Sequence, residues 1–193
     1  MLQSDFQNAL ELLSEILQDS GSQPHWLIVC GGAALQAHGI ITRATRDLDV
    51  IALRQEFSGI ESAFPLSSEL RTAIAQVADF YNLPKNWLNA SSAMILGSIS
   101  ELPPQLWSEP ITEEFGSHLK ISYLSTSGLT LLKVLAFLQR NVARDYEDLI
   151  AISPTERDIK MALDWYRTHH DTSPADKGRI NKLLKNLNYE ELQ

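Results

Sequence analysis

The sequence predicts an α/β (α+β) fold, in which a small mixed sheet is flanked by helices and followed by a C-terminal helical part. Three apolar runs of strand length, at residues 26–30, 48–53 and 119–124, contain the β-branched and aromatic residues that strands favour. Helical patterns precede the first run and separate the later ones. From residue 125 onward the patterns are helical only. We therefore predict an α/β core over residues 1–124 and a helical part over 125–193 that packs on it.

The composition is typical of a globular protein that contains a real hydrophobic core. Apolar residues make up 44% and charged residues 21% of the 193 positions. No apolar run is long enough to span a bilayer, and the polar N-terminal sequence is unlike a signal peptide. The chain has one cysteine, Cys30, in an apolar run, where we expect a small buried residue. We accordingly expect no membrane partner and a cytoplasmic location.

The charge distribution bears on the class of ligand. The formal net charge is −8, which argues against a broadly basic surface for nucleic acid. Residues 1–152 carry nine Lys and Arg against seventeen Asp and Glu, whereas residues 153–193 carry seven of each. The acidic excess therefore lies mainly in the predicted core, and it suits a small nucleotide with Mg²⁺ better than a long polyanion.

The first elements are a helix, a strand, a glycine pair and a second helix. Residues 4–19 have the apolar stripe of an amphipathic helix that covers the sheet. The run 26–30 predicts a strand that stops at Gly31 and Gly32. Residues 33–38 are good helix formers, and Gly39 follows where a helix end favours a positive φ.

Asp47 and Asp49 are the chemically interesting residues of the next predicted strand. Side chains at positions i and i+2 of a strand point to the same face, about 6–7 Å apart along the chain. Two carboxylates at that spacing, between the apolar Leu48 and Val50, repel each other unless a cation neutralises them. Mg²⁺ typically binds one or two carboxylates together with substrate phosphates.

Gly31 and Gly32 supply a second feature of a nucleotide site. Glycines after a strand let the backbone approach a ligand closely, and the helix that follows offers N–H groups for a phosphate. Taken singly, a glycine pair is typical of a tight turn, and two alternating aspartates are typical of a solvated strand edge. Their combination favours a nucleotide site, in which the glycine corner and both acids share one pocket.

These residues resemble a known superfamily. The string GGAAL, followed by R-x-T-x-D-L-D-V, resembles the signature of the DNA polymerase β-type nucleotidyltransferases, and in particular the minimal nucleotidyltransferase-fold proteins related to AbiEii-type toxins. The resemblance implies that Gly31 and Gly32 hold the nucleotide triphosphate and that Asp47 and Asp49 are catalytic residues that bind the metal. Arg43 and Thr45 match the residues that lead into the acids, and Arg43 is expected to contact phosphate or support the site.

The middle of the chain is less informative. We predict a loop over 54–65, a helix over 67–82 that Pro84 ends, a buried Trp87, and mostly loop over 90–112. In larger members of the superfamily a later strand carries a third metal-binding carboxylate. The predicted strand 119–124 contains no acid, and Glu113 and Glu114 precede it. This departure weakens the expectation of two-metal chemistry unless one of those residues substitutes.

Lys133 is the most unusual charge of the C-terminal part. It lies in a predicted helix, 128–140, that is apolar on nearly all sides, where an unpaired ammonium group would be costly. The pattern K-x-x-A-x-x-x-R, followed by R-D-x-x-D-L, resembles the C-terminal element of the same nucleotidyltransferases. The resemblance implies that Lys133 is catalytic and meets phosphate or the acid pair, and that Asp145 orients Lys133 or the nucleotide. The alternative is an internal Lys–Asp ion pair that locks two helices, with Arg144 and Asp148 forming a solvated pair.

Two further helices are predicted to close the chain. Ser153, Pro154 and Glu156 have the pattern of a helix start, and Ser173 with Pro174 has the same pattern. We expect both helices to form a cap on the core.

The residues leave three functions of different classes open, of which the third is a structural adaptor that acts through the C-terminal helices. The first is a Mg²⁺-dependent transfer of a nucleoside monophosphate from a nucleoside triphosphate to a hydroxyl of an RNA, a protein or a small molecule. The resemblance places such an enzyme in a toxin–antitoxin or phage-defence system, with a cognate antitoxin as a partner. The alternative is a catalytically degenerate nucleotidyltransferase fold that serves as a binding module or antitoxin subunit.

Overall fold

The fold is mixed α+β in this computed structural model, which describes residues 3–55, 59–96, 98–140 and 142–192. Eight α-helices and one open, mixed sheet of six strands occur in these ranges. The chain divides into two compact units. The first unit comprises Met1–Leu102 and Glu109–Leu124, and the second comprises Pro103–Ser108 and Ser125–Gln193. The prediction that the C-terminal helices pack on the core stays a prediction.

The first unit contains the whole sheet. Its elements are α1 (Gln3–Asp19), β1 (His25–Cys30), α2 (Gly31–Ala37), β2 (Leu48–Gln55), β3 (Gly59–Ser62), α3 (Ser68–Tyr81), β4 (Leu88–Asn89), α4 (Ser91–Leu96), β5 (Ile111–Phe115) and β6 (Leu119–Tyr123). A single 3₁₀ turn, Ile99–Glu101, follows α4.

The strand order is β3-β2-β1-β6-β5, and β4 pairs with the beginning of β2. Strand β1 is antiparallel to β2 and parallel to β6. The pairs β2–β3 and β5–β6 are antiparallel, and β4 runs parallel to β2. The strand register determines which residues lie beside Asp49. Cys30 at the end of β1 and Asn89 in β4 lie on opposite sides of Asp49 in β2.

The core of this unit forms where apolar faces of helices meet the sheet. Leu10, Leu13 and Leu17 of α1 are fully buried, as the predicted stripe requires. Trp87 is also fully buried, and its indole N–H donates to the Ile74 carbonyl of α3 at 3.0 Å. Its prediction as a core residue is confirmed.

Two segments of this unit differ from the sequence-based prediction. Of the loop predicted over 54–65, residues 59–62 form the edge strand β3, and residues 56–58 lie outside the described residues. A polar edge strand that buries little shows no apolar alternation, so its residues carry no periodic signal. The predicted loop over 90–112 contains the short helix α4 and two 3₁₀ turns, and it leads into β5.

The second unit is helical. It contains a 3₁₀ turn, Pro104–Trp107, and helices α5 (Thr126–Arg140), α6 (Ala143–Ile152), α7 (Glu156–His169) and α8 (Pro174–Leu187), followed by a 3₁₀ turn, Glu190–Leu192. Ser173 caps α8 as predicted, whereas the cap of α7 is Thr155 and not Ser153. Thr155 forms a reciprocal capping box with Asp158, and Ser153 instead ends α6 at a φ of 51°.

Candidate functional site

The corner between β1 and α2 requires a residue without a side chain, and Gly31 provides it. This residue has a φ of +69°, a conformation that side chains disfavour. A Cβ atom at Gly31 would lie 2.9 Å from Oδ2 of Asp49. The carboxylate of Asp49 therefore lies directly against the backbone where β1 ends. The predicted convergence of the glycine corner and Asp49 is a feature of this structure.

Gly32 makes the same kind of contact with the segment that leads into β2. A Cβ atom there would lie 2.8 Å from Oγ1 of Thr45 and 3.7 Å from Nη1 of Arg43. Thr45 is buried, and its hydroxyl donates to the Asp47 carbonyl at 3.4 Å. The Gln36 side-chain amide of α2 donates to the Arg43 carbonyl at 2.7 Å. These contacts hold the segment 43–47 against the glycine corner.

Asp47 and Asp49 begin the β2 region, but only Asp49 belongs to the strand. Asp47 immediately precedes β2, which starts at Leu48, so the prediction that the strand carries both acids is wrong by one residue. The burial still alternates, because Leu48 and Val50 are buried whereas Asp47 and Asp49 are half-buried. Both carboxylates are therefore partly accessible at the start of the strand.

The electrostatics of Asp47 follow from its partial burial. Removal from water penalises the charged carboxylate and raises the pKa of Asp47 above its usual value. The nearby Arg46 guanidinium and a hydrogen bond from the Asn89 side chain both favour the charged form and offset part of that increase. The net effect is a raised pKa, so the charged form of Asp47 is less stable than it is in water. A bound cation would stabilise that charged form.

Asn89 is the residue of this site that sequence reasoning missed. It pairs with Asp49 across the β2–β4 ladder, and its side chain favours the charged form of Asp47 and so lowers the pKa of that carboxyl. The amide orientation is fixed because its oxygen accepts from the Ser91 N–H at 2.9 Å and its nitrogen donates to the Asn86 carbonyl at 3.3 Å. A strand of two residues has too little periodicity to be recognised in a sequence, so only the fold brings Asn89 to the acids.

The glutamates considered as a third acid lie elsewhere in the sheet. Both Glu113 and Glu114 belong to β5, and β1 and β6 separate that strand from β2. Three strand spacings correspond to about 14 Å. Tyr123 forms a hydrogen bond with Glu113, and Lys120 pairs with Glu114 at 2.7 Å. Neither glutamate therefore completes a ligand set with Asp47 and Asp49.

The donor set at the glycine corner consists of two carboxylates with an amide beside them. Across the parts of the chain that the structure describes, no group of three or more His, Cys, Asp or Glu side chains is arranged to hold a metal ion. Two carboxylates still fit a hard cation that takes its remaining oxygen ligands from phosphates and water.

Lys133 and Asp145, the other predicted site residues, form an ion-pair network inside the second unit. Nζ of Lys133 lies 3.1 Å from Oδ1 of Asp145 and 2.7 Å from Oδ2 of Asp148. Nη2 of Arg140 lies 3.0 Å from Oδ2 of Asp145. The Asp145 and Asp148 side chains are 6% and 3% exposed, and that of Lys133 is 13% exposed. The two cations and two anions thus balance, and they join α5 to α6.

This geometry bears on the alternatives for Lys133. It matches the internal Lys–Asp pair that locks two helices, and it adds Asp148 as a second buried partner. The predicted solvated pair of Asp148 with Arg144 is wrong, because the Asp148 side chain is buried against Lys133. The roles of Lys133 and Asp145 at a nucleotide stay predictions.

Comparison with known proteins finds no family model, no curated protein and no solved structure that matches this chain. The resemblance to nucleotidyltransferases therefore stays a prediction from the sequence motif. Within the ranges that the structure covers, none of the helices has the length and apolar character required to cross a membrane.

A first prediction concerns the contact between Gly31 and Asp49. Gly31→Ala should lower the free energy of unfolding by about 1–3 kcal/mol more than Gly21→Ala, because the new methyl group meets Oδ2 of Asp49. Gly21 is a matched control, since its φ is +71° and no atom lies within 4 Å of its Cβ position. Urea unfolding measures both. In an Asp49→Ala background the extra cost should disappear, and an unchanged extra cost would show that this contact is not its cause.

A second prediction concerns the buried network of the second unit. Lys133→Met should lower the free energy of unfolding by about 3–5 kcal/mol, because it leaves Asp145 and Asp148 buried without their shared ammonium group. Lys160→Met is the control, since Lys160 pairs with Asp164 on the exposed surface of α7 and should change stability by less than about 1 kcal/mol. Equal effects of the two substitutions in urea unfolding would show that the buried network is unimportant for folding.

Proposed function

We propose that this chain is a Mg²⁺-dependent nucleotidyltransferase that moves a nucleoside monophosphate from a nucleoside triphosphate to a hydroxyl group. The observation that carries the proposal is the packing of Gly31 and Gly32 against Asp49 and Thr45. It brings a backbone corner suited to phosphate next to the carboxylate of Asp49, two residues after Asp47, whose pKa partial burial raises.

The donor chemistry supports magnesium as the cation. Asp47 and Asp49 offer carboxylate oxygens, which hard cations prefer. Held by these carboxylates, Mg²⁺ would neutralise the triphosphate charge and favour loss of the proton from the attacking hydroxyl. In the transfer, the acceptor hydroxyl releases its proton to water and its oxygen forms a bond to the α-phosphorus, while the bond from that phosphorus to the pyrophosphate group breaks and pyrophosphate leaves.

The contribution of the protein is therefore positioning and electrostatics. Asp47 and Asp49 supply negative charge at the start of β2, and Asn89 lies beside Asp49 in the sheet. Gly31 and Gly32 give the triphosphate access to backbone N–H groups. Arg43 lies near Gly32 and supplies a guanidinium group for a phosphate. Lys133 and Asp145 enter this proposal through the motif alone.

The proposal is tested by nucleotide binding and by transfer. Calorimetry with Mg²⁺ and non-hydrolysable triphosphates should detect binding to the wild type and at least a tenfold loss, about 1.4 kcal/mol, in Asp49→Asn. Asp79→Asn is the control, because Asp79 is an exposed carboxylate of the same unit. With labelled triphosphates and a cell extract, the wild type should label an acceptor and Asp47→Ala should not. If the wild type neither binds nor labels, the proposal is wrong.

One observation favours the second candidate, a nucleotide-binding module without transfer activity. The strand beside the acid pair supplies Asn89, an amide, and the glutamates of β5 lie about 14 Å away. A module of this kind binds Mg²⁺ and the triphosphate, loses that binding in Asp49→Asn, and labels no acceptor. The same two measurements therefore separate it from the enzyme.

A further inference from the structure

We infer that the cavity between α3, β4 and α4 in the first unit binds a small anionic aromatic molecule next to Asn89, the strand partner of Asp49. If the proposed function holds, this molecule is the acceptor whose hydroxyl receives the nucleotide. The binding inference itself is independent of magnesium and of the triphosphate.

The cavity has the size and lining of a small-molecule site. Its volume is about 360 Å³, within the range of small-ligand pockets, about 300–1,000 Å³. Ile74 and Leu88 are buried at its wall, whereas Phe64 and Met94 border it and are 49% and 56% exposed. An apolar ligand in the cavity would remove these two exposed apolar side chains from water.

Asn89 connects this cavity to the acid pair. It lines the cavity, and it is the partner of Asp49 in the β2–β4 ladder. The Ser91 N–H and the Asn86 carbonyl, which fix the amide, belong to residues that also line the cavity. A ligand in the cavity can therefore contact a residue that lies beside Asp49 in the sheet.

The side chains at the rim of the cavity indicate that the ligand contains an aromatic ring. The exposed ring of Phe64 offers a stacking or edge contact, and the thioether of Met94 contacts aromatic rings favourably. Buried aliphatic groups, including Ile74 and Leu88, provide the opposite wall.

The charges of the lining indicate an anionic group on the ligand. Arg71 is exposed and lines the cavity, and in the described ranges it takes part in no ion pair. Lys85 also lines the cavity, and its ammonium group pairs with Asp79. A cation available at the rim complements one negative charge. The acidic excess of residues 1–152 disfavours a long polyanion, so a small molecule is the better match.

The inference is tested with two fluorescent probes that share an aromatic body. The probe 1-anilinonaphthalene-8-sulfonate carries a negative charge, and N-phenyl-1-naphthylamine is its neutral analogue. Without Mg²⁺ or nucleotide, both should bind the wild type saturably. Met94→Asp should weaken both by at least about tenfold, because it places a charge at the apolar rim. Arg71→Gln should weaken the sulfonate probe by about two- to fivefold and leave the neutral probe unchanged.

Matched controls make the outcome decisive. Ile95→Asp introduces the same charge at the next residue of α4, where the side chain is 65% exposed and does not line the cavity, and it should leave both probes unchanged. Asp47→Asn should weaken neither probe, because it removes a negative charge near the cavity, and this separates the inference from the proposed function. The side-chain amide signals of Asn89 should shift when the sulfonate probe binds. Equal effects of Met94→Asp and Ile95→Asp, an equal effect of Arg71→Gln on both probes, or unshifted Asn89 signals would overturn the inference.

Discussion

The carboxylate of Asp49 lies so close to the Gly31 backbone that a methyl group would not fit between them, and the arrangement of the first unit depends on this contact. It requires β2 to run beside β1 with Cys30 opposite Asp49, and it requires a positive φ where β1 ends. The parallel contact of Gly32 with Thr45 folds the lead-in segment onto α2. A glycine pair and two aspartates are each common in proteins. Here the missing side chain of the glycine allows a carboxylate to pack directly against the backbone.

The two units handle buried charge in opposite ways. In the second unit, Lys133 lies between Asp145 and Asp148, and Arg140 completes a balanced set, so the charges serve mainly to join two helices. At Asp47, burial raises the carboxyl pKa more than Arg46 and Asn89 lower it. Ionisable groups whose pKa is shifted by their surroundings are common in binding sites. This contrast favours the glycine corner over the lysine network as the place where an external cation binds.

Much of the fold was predictable, because long amphipathic helices and apolar strands carry strong periodic signals. Helix α1, strands β1 and β6 and the buried Trp87 follow from such patterns. The approach of Gly31 to Asp49 also followed, because the glycine corner and the acids were expected on adjacent strands, whereas the contact of Gly32 with Thr45 was not predicted. The polar edge strand β3 and the two-residue β4 could not be predicted, because too few residues are buried in either. Asn89 was missed for this reason, and the partners of Lys133 depend on helix packing that spacing does not specify.

Manganese relaxation in an amide NMR spectrum tests most directly whether the glycine corner and the acid pair form one cation site. Mn²⁺ binds the same oxygen ligands as Mg²⁺ and broadens the signals of nearby protons. On addition of substoichiometric Mn²⁺, we predict that the amides of Gly31, Gly32 and Asp49 broaden first, and that excess Mg²⁺ restores them. Broadening that begins at other acidic residues, such as Glu113 and Glu114, or that Mg²⁺ does not reverse, would contradict a cation site at this corner.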